Sequence, residues 1–288
     1  MALIASVSPL RATVATLQEI QAASSNISYQ YSFEGTYSSG TGTWLDQKVG
    51  SNTPALTQGP LAPGRIAEQK TPGYDSSTHY AEFTALANGT SGDSLLSSTA
   101  ITYATAGTIE YLVQFGTNTA ARNLISGDGS GANDRLRFLA TGSAGDKANM
   151  VLGGNTGFDL IGGTTSVSFV TGNWYYVAQN WSIVGSTVTI DAWVANLTAG
   201  GALTQTISGA TNTFVGDTTT ILNLGGASGT YANGNLDALG IYSSQLNQAT
   251  ITSHFNSISV PEPSTYLLMG VAVAAFIPSL RRRLQKAS

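Results

Sequence analysis

Among 288 residues there is no cysteine, and only two are histidine. A disulfide framework and a thiolate metal site are therefore excluded, and with them most zinc chemistry. The missing thiols also leave the redox compartment unread. Charge is scarce: 12 basic and 16 acidic residues make up 10% of the chain. It is also unevenly placed. Up to Ser259 there are 8 basic and 15 acidic residues, net −7, whereas from Val260 onward Arg281, Arg282, Arg283 and Lys286 face only Glu262, net +3. An acidic body with scattered Lys and Arg has no stripe to neutralise phosphates, which excludes nucleic acid as an expected partner. What the chain does have is Ser and Thr, about a quarter of all residues, a composition that suits exposed strand faces and turns. A single sandwich or barrel of this size is ordinary.

Residues 1–27 form an N-terminal segment with two readings. Ala2 to Val7 is apolar but short, Pro9 interrupts it, and no Lys or Arg precedes it. A secretory signal needs a basic start, a longer apolar run and a small-residue cleavage site, and only the last is met, around Ala22 and Ala23. Leu10, Val14, Leu17 and Ile20 fall at helical spacing, so the segment reads either as a short amphipathic helix or as an incomplete signal region.

From Ser28 the period switches to two. Tyr29, Tyr31 and Phe33 alternate with polar residues; Ile109, Tyr111, Val113 and Phe115 share a face; Trp174, Tyr176 and Ala178 oppose Tyr175, Val177 and Gln179; Val188, Ile190, Ala192 and Val194 line another strand. Turn signals separate these runs, at Gly127-Asp128-Gly129, Gly153-Gly154-Asn155, Gly162-Gly163, Gly225-Gly226 and Asn233-Gly234. The pattern predicts an all-β antiparallel sandwich over 28–257, two sheets packed face to face. One helix is expected after Leu246, with Asn247 as N-cap and Ala249, Ile251 and Phe255 as its apolar contacts.

Gly172-Asn173-Trp174-Tyr175-Tyr176-Val177-Ala178, the strand at Val188 to Val194, and the run Gly234-Asn235-Leu236-Asp237-Ala238-Leu239-Gly240-Ile241-Tyr242 leading into Leu246 to Phe255 carry a family pattern. It resembles the laminin-G-like branch of the concanavalin A-like jelly rolls. Where that family usually has an Asp-Gly turn, this chain has Ala195-Asn196-Leu197. The resemblance implies a jelly-roll binding module, with calcium as the ion such modules often hold at a loop rim. Asp128, Asn133 and Asp134 are the calcium candidates, in a Gly-rich loop that otherwise reads as a solvated turn. Trp174 reads as core packing or as a ligand platform, and Trp44, among Thr and Gly, as a sugar-stacking face. Asp237 reads as a structural carboxylate or as a catalytic acid.

Related glucanases place two Glu around an Asp on one strand, so that acid and nucleophile straddle a glycosidic bond. Glu34, Glu68, Glu82 and Glu110 each lack an acidic neighbour at spacing two or four, and His79 and His254 are equally isolated in sequence. There is no Gly-x-Ser-x-Gly elbow, phosphate loop or His-Glu-x-x-His. The expectation is a protein that is not an enzyme, with no catalytic residues and no cofactor beyond calcium.

The last 31 residues, 258–288, are a separate object. Val260, Pro261, Glu262 and Pro263 cannot extend a sandwich, since neither Pro can donate to a ladder. Residues 264–280 carry no charge and reach the lower limit of a membrane span, about 17 residues. Arg281, Arg282 and Arg283 open a basic end at 281–286 that acts as a cytoplasmic stop and leaves the acidic body outside. Motif, span and basic end in this order resemble the PEP-CTERM sorting signal of exopolysaccharide-producing Gram-negative bacteria. The resemblance implies an exosortase as partner, a transient or permanent inner-membrane anchor through 264–280, and a cell-envelope or extracellular destination. The body is then expected to bind glycan or envelope polymer, extracellular polysaccharide among them, or to serve as bulk biofilm matrix without a discrete ligand.

Overall fold

In the computed structural model the described residues are 14–34, 36–38, 43–45, 54–58, 68–70, 74, 79–85, 92–118, 122–128, 136–141, 146–153, 157–214, 218–226 and 231–259. Helix α1 (Val14–Ala23) leads into β1 (Ile27–Tyr31), β2 (Thr36–Ser38), β3 (Thr43–Leu45), β4 (Leu56–Gln58), β5 (Glu68–Lys70) and β6 (Tyr80–Phe83). Next come β7 (Leu95–Ser97), β8 (Ile101–Thr102), β9 (Ala106–Phe115), β10 (Arg122–Asp128), β11 (Leu136–Thr141), β12 (Lys147–Leu152) and β13 (Phe158–Gly162). The long strands follow: β14 (Trp174–Val184), β15 (Thr187–Asn196), β16 (Thr204–Thr213), β17 (Thr219–Leu224) and β18 (Gly234–Tyr242), then helix α2 (Gln248–Ser259).

Two sheets result, and every strand pair in them is antiparallel. The first runs β16-β15-β14-β9-β18-β6-β5, with β1 also on β18; the second runs β13-β12-β11-β10-β17-β7-β4-β3-β2, with β8 on β17. Alternation decides which side chains meet between them. Tyr111, Val113, Phe115, Tyr175, Val177, Ile190 and Val194 from the first sheet bury against Ile125, Phe138, Met150, Leu160 and Leu222 from the second. Gln179 is the polar member of this layer: its Nε2 donates to Tyr111 Oη (2.8 Å) and across to the Phe138 carbonyl of the opposite sheet (2.7 Å). The antiparallel sandwich expected from period two is therefore present.

Some local expectations change. Gly127 and Asp128 continue strand β10 instead of turning, because both pair in register with β17, at Leu222 and Ile221. Gly162 and Gly163 do turn, at φ of 72° and 59°, and Gly225 turns at 85° where a Cβ would lie 2.2 Å from Phe83. A helix forms over Val14–Ala23 and packs on the body with Leu17 fully buried; the side chains buried beside it are Gln18 and Gln21, Ile20 is half-buried, and Leu10 lies outside the described residues. The helix expected after Leu246 is present, capped as predicted by Asn247 Oδ1 accepting from the Thr250 amide at 2.9 Å. Ile251, Phe255 and Ile258 are its buried face. Ala249 is exposed, since it stands in the first turn on the side away from the sheet.

Both helices lie on the outer face of the first sheet, where a second apolar layer forms from Leu17, Leu112, Trp174, Tyr176, Trp193, Tyr242, Leu246, Ile251, Phe255 and Ile258. The central strands of that sheet, β14, β9 and β18, are consequently buried on both sides. Strand β14 shows it directly, with eight successive buried residues from Trp174.

Candidate functional site

Strand β9 places Ile109, Tyr111 and Val113 between the sheets, so Thr108, Glu110 and Leu112 must face the helices. Glu110 is fully buried there. A buried carboxylate is tolerable only when its oxygens are satisfied, and four donors converge on this one. Tyr242 Oη donates to Oε2 at 2.8 Å, Tyr176 Oη donates to Oε1, and Gln21 Nε2 approaches Oε2 at 3.5 Å. His254 Nδ1 lies 3.1 and 3.2 Å from the two oxygens. The donors come from β18, β14, α1 and α2, so one side chain joins both helices to the sheet.

The electrostatics follow from burial. Desolvation pulls the His254 imidazole down, but its hydrogen bond to Glu110 and the charge of Glu110 outweigh this, and the net value stands above the ordinary 6.5. Burial, then the charge of Glu110 and the hydrogen bonds to it, push the Tyr176 and Tyr242 hydroxyls well above their usual 10. Both tyrosines thus remain donors. Chemically the cluster is an enclosed charge-assisted lock: Glu110 has no exposed surface and His254 is only 6% exposed.

A second polar knot holds the chain just before α2. Thr108 Oγ1 donates to Asn180 Oδ1 at 2.6 Å and accepts from the Leu246 amide at 2.8 Å, while Asn180 Nδ2 donates to the Leu246 carbonyl at 2.8 Å. Both backbone groups of Leu246 are thereby held from β9 and β14. Helix α1 is fixed in the same manner. Gln21 Nε2 donates to the Ala238 carbonyl at 2.9 Å, at a bulge in β18 where Ala238 takes φ 50°. Gln18 Nε2 donates to Asp237 Oδ1 at 3.3 Å.

The residues singled out from sequence fare differently. Asp237 is fully buried and hydrogen-bonded from α1, which suits the structural carboxylate. Trp174 is 8% exposed and sits in the outer apolar layer, not between the sheets, with Tyr80 and Tyr74 edge-on at 5.8 and 6.5 Å. Trp44 lies in β3, paired with Tyr37 and Leu56. Asp128 ends β10, while its calcium companions Asn133 and Asp134 lie outside the described residues. Among the described residues no group of three or more acidic or histidine side chains is poised for a metal. Val260, Pro261, Glu262, Pro263, the span at 264–280 and Arg281, Arg282 and Arg283 also lie outside them. No described helix is long and apolar enough to cross a membrane.

Sequence spacing missed both histidine pairs. His79, isolated in sequence, meets Glu34 with Nδ1 2.7 Å from Oε2 at the surface. His254 meets Glu110 across 144 positions of chain. The one signal for the latter is in β9 and β14 themselves: both alternations are mostly apolar, so a Glu within β9 has to be buried and has to find partners.

Three-dimensionally the chain is similar to a Trypanosoma rangeli sialidase solved in complex with sialic acid, at 14% identity and a TM-score of 0.52, covering 82% of this chain and 33% of that one. It is also similar to the receptor binding domain of botulinum neurotoxin type G, at 8% identity and a TM-score of 0.51, covering 81% of this chain and 51% of that one. The chain thus spans about a third and about half of these structures, and identities this low speak for the shared β-sandwich alone. No curated protein matches in sequence. Residues 259–283 match the PEP-CTERM protein-sorting motif, the mark of exported proteins handled by an exosortase, so the sorting signal begins at the last residue of α2.

Proposed function

We propose that this is an exported, non-catalytic cell-envelope or matrix protein of a Gram-negative bacterium. Its body, a concanavalin A-like and laminin-G-like jelly roll over 28–257, binds glycan or envelope polymer; its cassette at 258–288 anchors it through 264–280 until an exosortase acts at Val260, Pro261, Glu262 and Pro263. The observation that carries the reading is the sorting motif at 259–283, placed directly behind a folded, acidic body. The basic end at Arg281, Arg282 and Arg283 supports the orientation.

The binding role has its support in the fold. One structural neighbour is itself a receptor binding domain and the other was solved with sialic acid. Support for a non-catalytic body comes from the site. Among the described residues the densest polar cluster, Glu110 with His254, Tyr176 and Tyr242, is sealed beneath two helices.

Mass spectrometry of the protein from its native host tests the sorting reading: the expected C-terminus lies within or just after 260–263, and an intact Ser288 leaves a plain tail anchor. Glu262→Ala is expected to preserve insertion and block processing. A glycan array run with and without a calcium chelator tests the body. Binding that survives chelation removes the calcium role of Asp128, Asn133 and Asp134, and a chain that binds nothing is a structural matrix protein.

A further inference from the structure

The cover over the outer face of the first sheet ends partway along β9. Glu110 and Leu112 are fully buried, whereas Gln114, two residues further on the same face, is half-exposed. Gln114 belongs to a row that runs straight across the strands. It stands opposite Trp174 of β14 on one side and Asn235 of β18 on the other, and Asn235 stands opposite Glu82 of β6. The residues next to them in chain, Tyr175, Val113, Leu236 and Ala81, all bury between the sheets, so the four side chains of the row share the outer face. Trp174 is buried at one end, while Asn235 and Glu82 are half-exposed like Gln114.

The row is ordered, yet its hydrogen bonding is not used up. Gln114 Nε2 donates to the Gly172 carbonyl at 2.7 Å, and Asn235 Nδ2 donates to Gln114 Oε1 at 2.6 Å. This relay fixes both amide planes and leaves Asn235 Oδ1 with no donor among the described residues. Glu82 Oε2 lies 3.7 Å from Lys70 Nζ, an ion pair longer than a hydrogen bond, and Oε1 meets no donor among the described residues. Tyr80, one step along β6 on the same face, lays its ring edge-on against Trp174 at 5.8 Å. Its hydroxyl has no hydrogen-bond partner among the described residues; burial first, and then the charge of Glu82, hold it above its ordinary value, so it remains a donor. The Glu110 knot is enclosed and satisfied, whereas this row keeps acceptors and a donor in reach of solvent on rigid strands.

Resting on the reading that the body binds glycan, we propose that Gln114, Asn235, Glu82 and Tyr80, backed by Trp174, form its binding site, and that the ligand is an uncharged glycan chain laid across β9, β18 and β6. The chemistry matches group by group. Amide and carboxylate oxygens accept from sugar hydroxyls, the Tyr80 hydroxyl and the amide N–H groups donate, and a half-buried aromatic ring offers an apolar face to sugar C–H groups. Two interstrand gaps separate β9 from β6, about 10 Å, the length of about two sugar rings. An anionic sugar fits poorly. It would face the Glu82 carboxylate, while Lys70 is paired with Glu82 and His79, beside Tyr80, with Glu34.

The test is biolayer interferometry of the full chain in detergent against immobilised hexasaccharides: cellohexaose, mannohexaose and maltohexaose as neutral probes, and oligosialic acid and oligomannuronate as anionic ones. At least one neutral probe is expected to bind, with both anionic probes at least about tenfold weaker. Asn235→Ala and Glu82→Ala should each weaken the neutral probe about tenfold, the size of one lost hydrogen bond. Tyr80→Phe, which keeps the ring against Trp174, should weaken it severalfold, and Thr211→Ala on the exposed side of β16 should leave it unchanged. Thermal denaturation checks that each variant is folded; Glu82→Ala and Tyr80→Phe, which remove a half-exposed carboxylate and a single hydroxyl, keep the question open should Asn235→Ala unfold. Neutral binding that none of the three row variants weakens places the site elsewhere and overturns the row. Tighter binding of either anionic probe overturns the uncharged ligand. A wild-type chain silent on every probe and on the glycan array overturns the binding reading on which the row rests.

Discussion

The two faces of the central strands β14, β9 and β18 are both buried, yet they are held by different physics. Between the sheets, Phe115, Tyr111, Val177 and Ile190 meet apolar partners, and packing of nearly uniform chemistry fills the space. Beneath the helices, apolar contacts from Leu17, Ile251 and Phe255 surround a knot of Glu110, His254, Tyr176, Tyr242 and Gln21. Apolar packing is tolerant of angle and register; a carboxylate with directed donors is not. The inner face therefore gives bulk stability, and the outer face fixes where two helices sit.

Truncation at either face should have a large effect, and the difference should be in how it spreads. Phe115→Ala is expected to cost about 3 to 5 kcal/mol as a buried aromatic, and Glu110→Ala about 3 to 5 kcal/mol because it leaves His254 buried without its partner. Denaturant titration measures both. Hydrogen exchange at a denaturant concentration below the transition should separate them, with α1 and α2 exchanging first only in Glu110→Ala. If both variants open the whole sandwich together, the two faces are one cooperative unit.

Trp174→Ala probes the rim of the outer face. A loss of about 3 kcal/mol is expected, at the low end for a buried Trp, because Tyr74 and Tyr80 beside it are only half-buried and can relax. An unchanged melting temperature would return Trp174 to the ligand-platform reading.

Proton linkage should belong to the outer face alone. The folded value of His254 is raised, so its contribution to stability is complete below the unfolded value of 6.5 and is lost as pH rises through the folded one. The denaturation midpoint should therefore fall as pH rises from 6.5 through the raised folded value, and His254→Gln should flatten that decline. Phe115→Ala should leave its shape intact. The smallest effect is expected at the start of α2, where Asn247→Ala removes the cap at a cost of about 1 kcal/mol, read as a parallel shift of the same curve.

What was legible from sequence follows the same division. Period two in β9, β14 and β15 identified which residues share a face, because alternation is a local signal; in β14, apolar on both faces, it did not tell inner from outer, and Trp174 lies on the outer one. The cap at Asn247 was equally local, with its partner Thr250 three residues away. The outer knot was not legible. Its members are 66 to 144 positions apart from Glu110, and no short spacing relates a glutamate in one strand to a histidine in a terminal helix. Likewise α1 reads from its own spacing as an amphipathic helix, but not as part of the body; what ties it there is Gln18 and Gln21 reaching a bulge in β18 more than 200 positions later.

The grip of Thr108 and Asn180 on Leu246 also has a mechanical meaning. Tension applied at the C-terminal end enters the fold through α2, whose contacts can peel away one turn at a time. At Leu246 the geometry changes, since the pull now meets a main-chain residue clamped from two neighbouring strands, and behind it β18, laced to β9 on one side and to β1 and β6 on the other. The helix is thus joined to the sandwich through one clamped main-chain residue as well as through its own packing.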